Sequence, residues 1–365
     1  MKFRTLLVFL LVFGGLGCNS TSVAPISTGA SKRSYNGSAS VGDFLAITLD
    51  PVAMTLTYTD LSNGDTGVVP YTVNANGTYT LNDPKHNLLS AYEVPNYALL
   101  VQAAKAGPNR NTLALVTAVE KSTISLATWE GHDYNYMQFR TTTGGVDVGS
   151  VSLDAQANVS ITSYSPYQAT QGNPFHAGGF PGSGFKLDPS GSFLDLSEGN
   201  GTTEYVFGTA NGVFAVDNPN GTILALEKAA IKDFDPSFAG TYQAIYYQKT
   251  NAQTGQGNIE TGTPALGDAT MVIGADAQIT VTNGSGTILI QATLTPVADT
   301  PYLYGANELQ DPCFGLFTFR VTTATSQRDV FVTFMDRAIL FSSFKVALPW
   351  SSSNSYDYLY GVGLK

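Results

Sequence analysis

Asn-Gly pairs recur along this chain, at Asn63, Asn76, Asn200, Asn211, Asn220 and Asn283, each between short segments rich in β-branched and aromatic residues. Asn-Gly favours the type I′ turn, because both central residues tolerate positive φ and the turn's twist matches the strands it joins. Each pair is therefore a hairpin signal. The flanking segments, such as 44–50, 55–61, 146–153, 278–282 and 329–334, alternate apolar with polar residues at period two. Strands of this length, with turns every 8–12 residues or so, predict an all-β chain of antiparallel meander modules forming sandwich- or barrel-like domains. Two segments read otherwise. Residues 96–107 hold Ala, Leu, Gln and Lys before a terminal Gly and predict a helix, with a second near 229–233.

A weak internal repeat organises the strands. Ala118-Val119-Glu120-Lys121, followed by Ile124, returns as Ala225-Leu226-Glu227-Lys228, followed by Ile231. A looser third copy runs from Ala338-Ile339-Leu340 to Lys345. Aromatic entry strands at 134–139 (YNYMQF) and 242–247 (YQAIYY) recur at nearly the same offset, with 44–49 a faint first copy. The predicted modules are 41–125, 126–236 and 237–365. The period is too long for a solenoid or a propeller blade and suits duplicated meanders.

The N-terminus carries an export address. Lys2 and Arg4 form a positive n-region, Leu6 to Phe13 an apolar h-region, and Gly14-Gly15-Leu16-Gly17 lead to Cys18. The apolar run is shorter than the roughly 20 residues a membrane-spanning helix needs. Residues 1–17 thus read as a signal peptide, and 18–40, polar and without periodicity, as a flexible tether.

These residues resemble the signal of bacterial lipoproteins, whose lipobox places a small residue before an invariant cysteine. Gly17 and Cys18 match; Gly15 stands where that family usually has Leu, and Leu16 follows one place later. The resemblance implies cleavage before Cys18, diacylglycerol on its sulfur, and an extracytoplasmic body held to the membrane by that lipid. With Cys18 acylated, Cys313 has no intramolecular partner, so no disulfide framework is expected, and Cys313 reads as a small buried hydrophobe.

Removing the signal moves the formal charge from −10 to −12. An acidic surface repels phosphate backbones, which argues against nucleic acid as a partner. Catalytic motifs are absent. His86, His132 and His176 lack metal-ligand spacing, no Gly-x-Ser-x-Gly elbow occurs, and neither a P-loop nor a dinucleotide fingerprint is present. No metal or cofactor is expected. The densest polar cluster is Trp129-Glu130-Gly131-His132-Asp133-Tyr134-Asn135-Tyr136, whose catalytic candidates are Glu130, His132 and Asp133. The plainer reading is an inter-module loop entering an aromatic strand. Asp188 to Glu198 resembles an oxygen-rich loop, but Phe193 stands where the EF-hand needs Gly.

The function expected is a non-enzymatic, lipid-anchored envelope protein that binds a ligand, a glycan or protein partner, or serves a structural role. The alternatives are a surface hydrolase of glycans, built on a pair of carboxylates, and an outer-membrane β-barrel, suggested by the alternation of the last strand from Tyr356 onward.

Overall fold

A computed structural model describes residues 31–107, 111–141, 145–154, 159–164, 175–180, 186–197, 203–209, 212–219, 221–228, 233–254, 260–296, 315–349 and 355–365. Among them the regular structure is antiparallel β, apart from two single 3₁₀ turns.

The first sheet holds β1 (Arg33–Ala39), β2 (Asp43–Asp50), β3 (Thr55–Asp60), β4 (Thr66–Val73), β5 (Thr78–Leu81), β6 (Leu88–Val94), β7 (Ala98–Ala106) and β8 (Thr112–Glu120). Each strand pairs with the next and β8 pairs with β1, closing an up-and-down barrel. Closure requires β1 and β8 to approach closely: a side chain at Gly37 would meet the Ala118 Cβ at 2.8 Å. Strand β1 lies in the segment expected to be tether. The tether reading of 18–40 is therefore corrected at its C-terminal end. The polar residues Asn36 and Ser38 of β1, and Ser40 just after it, are buried against the second sheet, which is why the strand shows no amphipathic alternation.

The second sheet contains β9 (Asp133–Arg140), β10 (Gly145–Leu153), β11 (Val159–Tyr164), β12 (Phe175–Phe180), β13 (Lys186–Leu187), β14 (Leu194–Ser197), β15 (Thr203–Gly208), β16 (Val213–Asn218) and β17 (Gly221–Glu227). The third contains β18 (Gly240–Thr254), β19 (Glu260–Ile273), β20 (Gln278–Asn283), β21 (Ile288–Thr293), β22 (Thr295–Pro296), β23 (Leu316–Thr322), β24 (Ser326–Met335), β25 (Ala338–Ala347) and β26 (Tyr356–Leu364). Both have nine strands in the same order, with the last strand paired to the first. Only Leu294 separates β21 from β22, so one bent strand pairs with β20 on one side and with β23 through Thr295 and Pro296 on the other.

The topology bears on the repeat. Ala118 and Ala225 occupy the closing strands β8 and β17, and Tyr134 and Tyr242 the first strands β9 and β18. The third copy fails: Lys345 lies in β25, one strand before the closing strand β26. The faint copy at 44–49 lies in β2, whereas the first strand of its sheet is β1. Both mismatches come from low-diversity β composition, which makes unrelated strands look alike.

The helix expected at 96–107 is strand β7. Leu99, Val101 and Ala103 point into the barrel, while Leu100 joins the core between the sheets and Gln102 reaches Asp268 of the third sheet. Burial on both faces removes the period-two signal, and tertiary packing overrides the helix preference of Ala and Leu. The segment 229–233 lies almost wholly outside the described residues.

Each sheet has its own apolar core, and a further core joins all three. The joint core unites Phe44, Leu100 and Leu115 of the first sheet, Met137, Phe139 and Leu224 of the second, and Ile245, Leu340, Tyr360 and Val362 of the third. The outer faces of β9, β17, β18 and β26 are thus interior. The alternation of β26 puts Tyr356, Tyr358 and Tyr360 against other protein, and the interior of the closed barrel is mainly apolar while its free exterior mixes Thr57, Thr72 and Thr80 with Val68 and Val73. A membrane-spanning barrel has the reverse arrangement.

Candidate functional site

The cluster singled out in the sequence is dispersed by the fold. Trp129 packs edge-on against Phe214 at 5.2 Å, and Tyr134 and Tyr136 lie in the core of the second sheet. Asn135 is buried and accepts a hydrogen bond from Ser150 at 2.9 Å. Gly131 adopts φ 77° in the turn before β9, which leaves Glu130 half-buried and His132 and Asp133 exposed. His132 Nδ1 lies 2.8 Å from Glu227 at the end of β17. These three candidates do not converge on a cavity with other acids. The oxygen-rich loop is a turn between β13 and β14: Asp188 accepts from the Ser190 N–H, and the Ser192 carbonyl accepts from Asn36 of the barrel. Among the described residues no group of three His, Cys, Asp or Glu side chains is placed to hold a metal. Cys18 and Cys313 lie outside the described residues, as does the side chain of His176.

Two polar assemblies that sequence patterning did not single out lie in the barrel. In its interior, the Arg33 guanidinium donates to both oxygens of Glu93, at 2.6 and 2.7 Å. Tyr35 donates to one of those oxygens at 2.5 Å and Tyr79 to the other at 2.7 Å. Burial beside the Glu93 charge pushes both phenols well above their ordinary range, and the Glu93 hydrogen bonds raise Arg33. The quartet is self-satisfied and acts as a polar plug in an otherwise apolar interior. A lone acid in the mainly apolar run 88–104 is its only sequence signal.

At one mouth of the barrel, Asp43, Asp60, Asp65, Asn63, Asn87 and Lys105 help line a cavity of ≈ 40 Å³. Asp60 accepts from the Ser62 and Asn63 N–H groups, and Asp43 from the Gly107 N–H at 2.7 Å, so the two acids hold the rim loops together. Burial first, and the Asp43 charge second, push the Asp60 carboxyl up to about 6. Asp217, fully buried where the second sheet meets β1, is raised well above its ordinary value by burial; its hydrogen bond from Ser38 works in the opposite direction. Asp268 is also raised by burial. The cavity takes water and no sugar ring, since ligand pockets run to about 300–1,000 Å³. The chemistry available there is proton exchange near pH 6.

The sign of the resulting pH dependence follows from linkage. Folded pKa values above the unfolded value of about 3.9 mean that the native state takes up protons first as pH falls. Stability is gained on acidification through about pH 6 and withheld above it. The expected result is a higher Tm at about pH 5 than at about pH 7.5, with Asp60→Asn raising stability at the higher pH by about 1–2 kcal/mol and flattening the profile. Scanning calorimetry at fixed ionic strength checks this, and a wild-type Tm that falls on acidification over that interval would contradict it.

The fold defines a class: up-and-down antiparallel meanders, the first a closed eight-stranded barrel, fused through a shared core. No protein-family model matches the sequence, and no curated protein is similar to it. Among solved structures, the chain is similar to a protein of unknown function from the DUF3598 family of Nostoc punctiforme, at 13% identity and a TM-score of 0.22, over 67% of this chain and 100% of that one. It is also similar to the isotype 1 transferrin binding protein B of serogroup B Neisseria meningitidis, at 9% identity and a TM-score of 0.23, over 89% of this chain and 66% of that one. A transferrin binding protein B double mutant from Haemophilus parasuis gives 8% identity and a TM-score of 0.23, over 91% of this chain and 76% of that one. Superpositions at this level carry nothing about ligand or partner. No helix among the described residues is long and apolar enough to cross a membrane.

Proposed function

We propose that this chain is an exported, lipid-anchored envelope protein whose body works through its surface, binding a partner or ligand or serving a structural role, and not as an enzyme. The observation that carries the reading is the filled interior. Side chains occupy the closed barrel, Arg33 and Glu93 in its interior are paired with each other, and the mouth cavity has the dimensions of water. A hydrolase of glycans would need two carboxylates across a cleft that admits a sugar ring; Glu130 and Asp133 do not line the mouth cavity, and the acids that do, Asp43, Asp60 and Asp65, face a space of only ≈ 40 Å³. The anchor half of the proposal rests on the lipobox-like run ending at Cys18. Because β1 begins at Arg33, only 14 residues (19–32) separate it from Cys18, so a lipid there would hold the barrel close to the membrane.

Labelled fatty acid should be incorporated into the wild-type chain and lost in Cys18→Ser, with the protein moving from the membrane to the soluble fraction; equal labelling of both would end the anchor proposal. Screening the purified mature protein against polysaccharides and peptidoglycan addresses the other half. Turnover abolished by Glu130→Gln in a folded protein would overturn the non-enzymatic reading.

A further inference from the structure

The two ends of the closed barrel differ in chemistry. Strands alternate in direction, so the end where β1 starts also carries the β2–β3 turn (51–54), the β4–β5 turn (74–77) and the β6–β7 turn (95–97). None of these turns contains a charged residue; the charges at this end lie on or beside the strand edges, at Lys32, Asp50, Glu120 and Lys121, and on Asp336 and Arg337 of the third sheet next to Tyr97. At the opposite end, the connections and their edges carry Asp43, Asp60, Asp65, Asp83, Lys85, His86 and Lys105.

The end with uncharged turns projects an apolar tip. In Pro51-Val52-Ala53-Met54, Val52 is 73% exposed and Met54 40%, and Val73 at the neighbouring strand end is 49% exposed. The tip is held in place. Asp50 accepts from the N–H groups of both Val52 and Ala53 at 3.0 Å, and the Met54 carbonyl, at a left-handed residue of φ 52°, accepts from the Tyr71 N–H. Fixing a loop that exposes Val and Met to water has a cost that burial of the tip elsewhere would offset. The free outer face of β3, β4 and β5 lies beside it, and the other two sheets pack on the far side through β1, β7 and β8.

We propose that the turn 51–54, with Val73 beside it, is a membrane-seating surface: it enters the interfacial layer of the bilayer that carries the lipid on Cys18. The occupant is identified by the chain itself. Arg33 begins the barrel at this same end, and 14 residues (19–32) separate it from Cys18, so the lipid and the tip face the same way. Lys32, alongside, has an exposed side chain that pairs with Asp50 at 3.2 Å and suits anionic headgroups. The acid-lined mouth then faces away from the membrane. The diacylglycerol would hold the chain to the bilayer, and the tip would fix how the barrel sits on it. This inference rests on the lipid-anchor reading, and the test separates the two.

The mature chain carrying Cys313→Ser, so that Cys18 is its single thiol, is coupled through Cys18 to a maleimide phospholipid in vesicles of phosphatidylethanolamine and phosphatidylglycerol. Val52→Trp and Leu61→Trp variants, probing opposite ends of the barrel, are compared with bromine-labelled acyl chains as quencher. Both positions are exposed, and unchanged circular dichroism confirms that each variant folds. The expected result is a loss of emission for Val52→Trp and none for Leu61→Trp. Equal emission of Val52→Trp with and without bromine, or equal quenching at the two positions, overturns the proposal. Since the lipid is attached chemically, the outcome is independent of whether the cell acylates Cys18, which the fatty-acid labelling decides.

Discussion

Glu93→Gln should lower the stability of the protein by about 3–5 kcal/mol, the range for breaking a buried ion pair by removing one partner. The Glu93 side chain is fully buried and Arg33 nearly so, at 0% and 8% exposure. The amide keeps the shape and one acceptor, yet leaves the guanidinium charged in an apolar barrel interior with no anion opposite. Tyr35 and Tyr79 also lose a charged acceptor, each such hydrogen bond contributing about 1.5–3 kcal/mol. Urea unfolding of the wild type and the variant, read by midpoint at constant m-value, measures the effect. The double replacement Arg33→Met with Glu93→Leu should recover only the part due to the orphaned charge, because Tyr35 and Tyr79 still lack their acceptor. A Glu93→Gln variant within about 1 kcal/mol of wild type would show that the quartet is not the plug described.

Tyr360→Ala should have an effect of similar size, about 3–5 kcal/mol, and of a different kind. The Tyr360 ring is fully buried between sheets, stacked on Phe139 at 4.5 Å and on Tyr247 at 5.1 Å, and its hydroxyl shares a 2.9 Å hydrogen bond with Thr141. Thr141 in turn bonds Ser40 at the end of β1. One side chain thus touches the second and third sheets and connects to the first. Its removal empties the shared core while leaving each sheet's own core intact. The expected signature is a loss of cooperativity, with separate transitions by calorimetry where the wild type shows coupled ones. A single transition merely shifted in temperature would mean that the sheets stay coupled without Tyr360.

How much of this is legible in the sequence depends on where each side chain points. Hairpin turns at Asn63, Asn76 and Asn283 need only local chemistry, since the Asn-Gly backbone preference acts within about four residues, and all three join consecutive strands. Asn36-Gly37 carries the same signal and lies inside β1, where Gly37 serves the close approach to Ala118 instead. The polar cluster around Glu130 draws attention because its residues are adjacent in sequence. Its charged groups lie in the turn before β9 and at the strand's first residue and face water, while its aromatics pack into the core of the second sheet.

The sequence alone determined the all-β class, because period-two alternation and turn propensity are local properties that hold wherever a strand ends up. The acidic balance, a property of composition, was legible there too. Only the tertiary structure decided that Arg33 and Ser38 belong to a strand, that 98–106 is β and not helix, and that Glu93 meets Arg33 from 60 positions away. It likewise decided that the last strand faces protein and not lipid. Each of these depends on burying both faces of a strand, and on partners supplied by distant segments. Burial on both faces erases the alternation by which a sequence announces its strands.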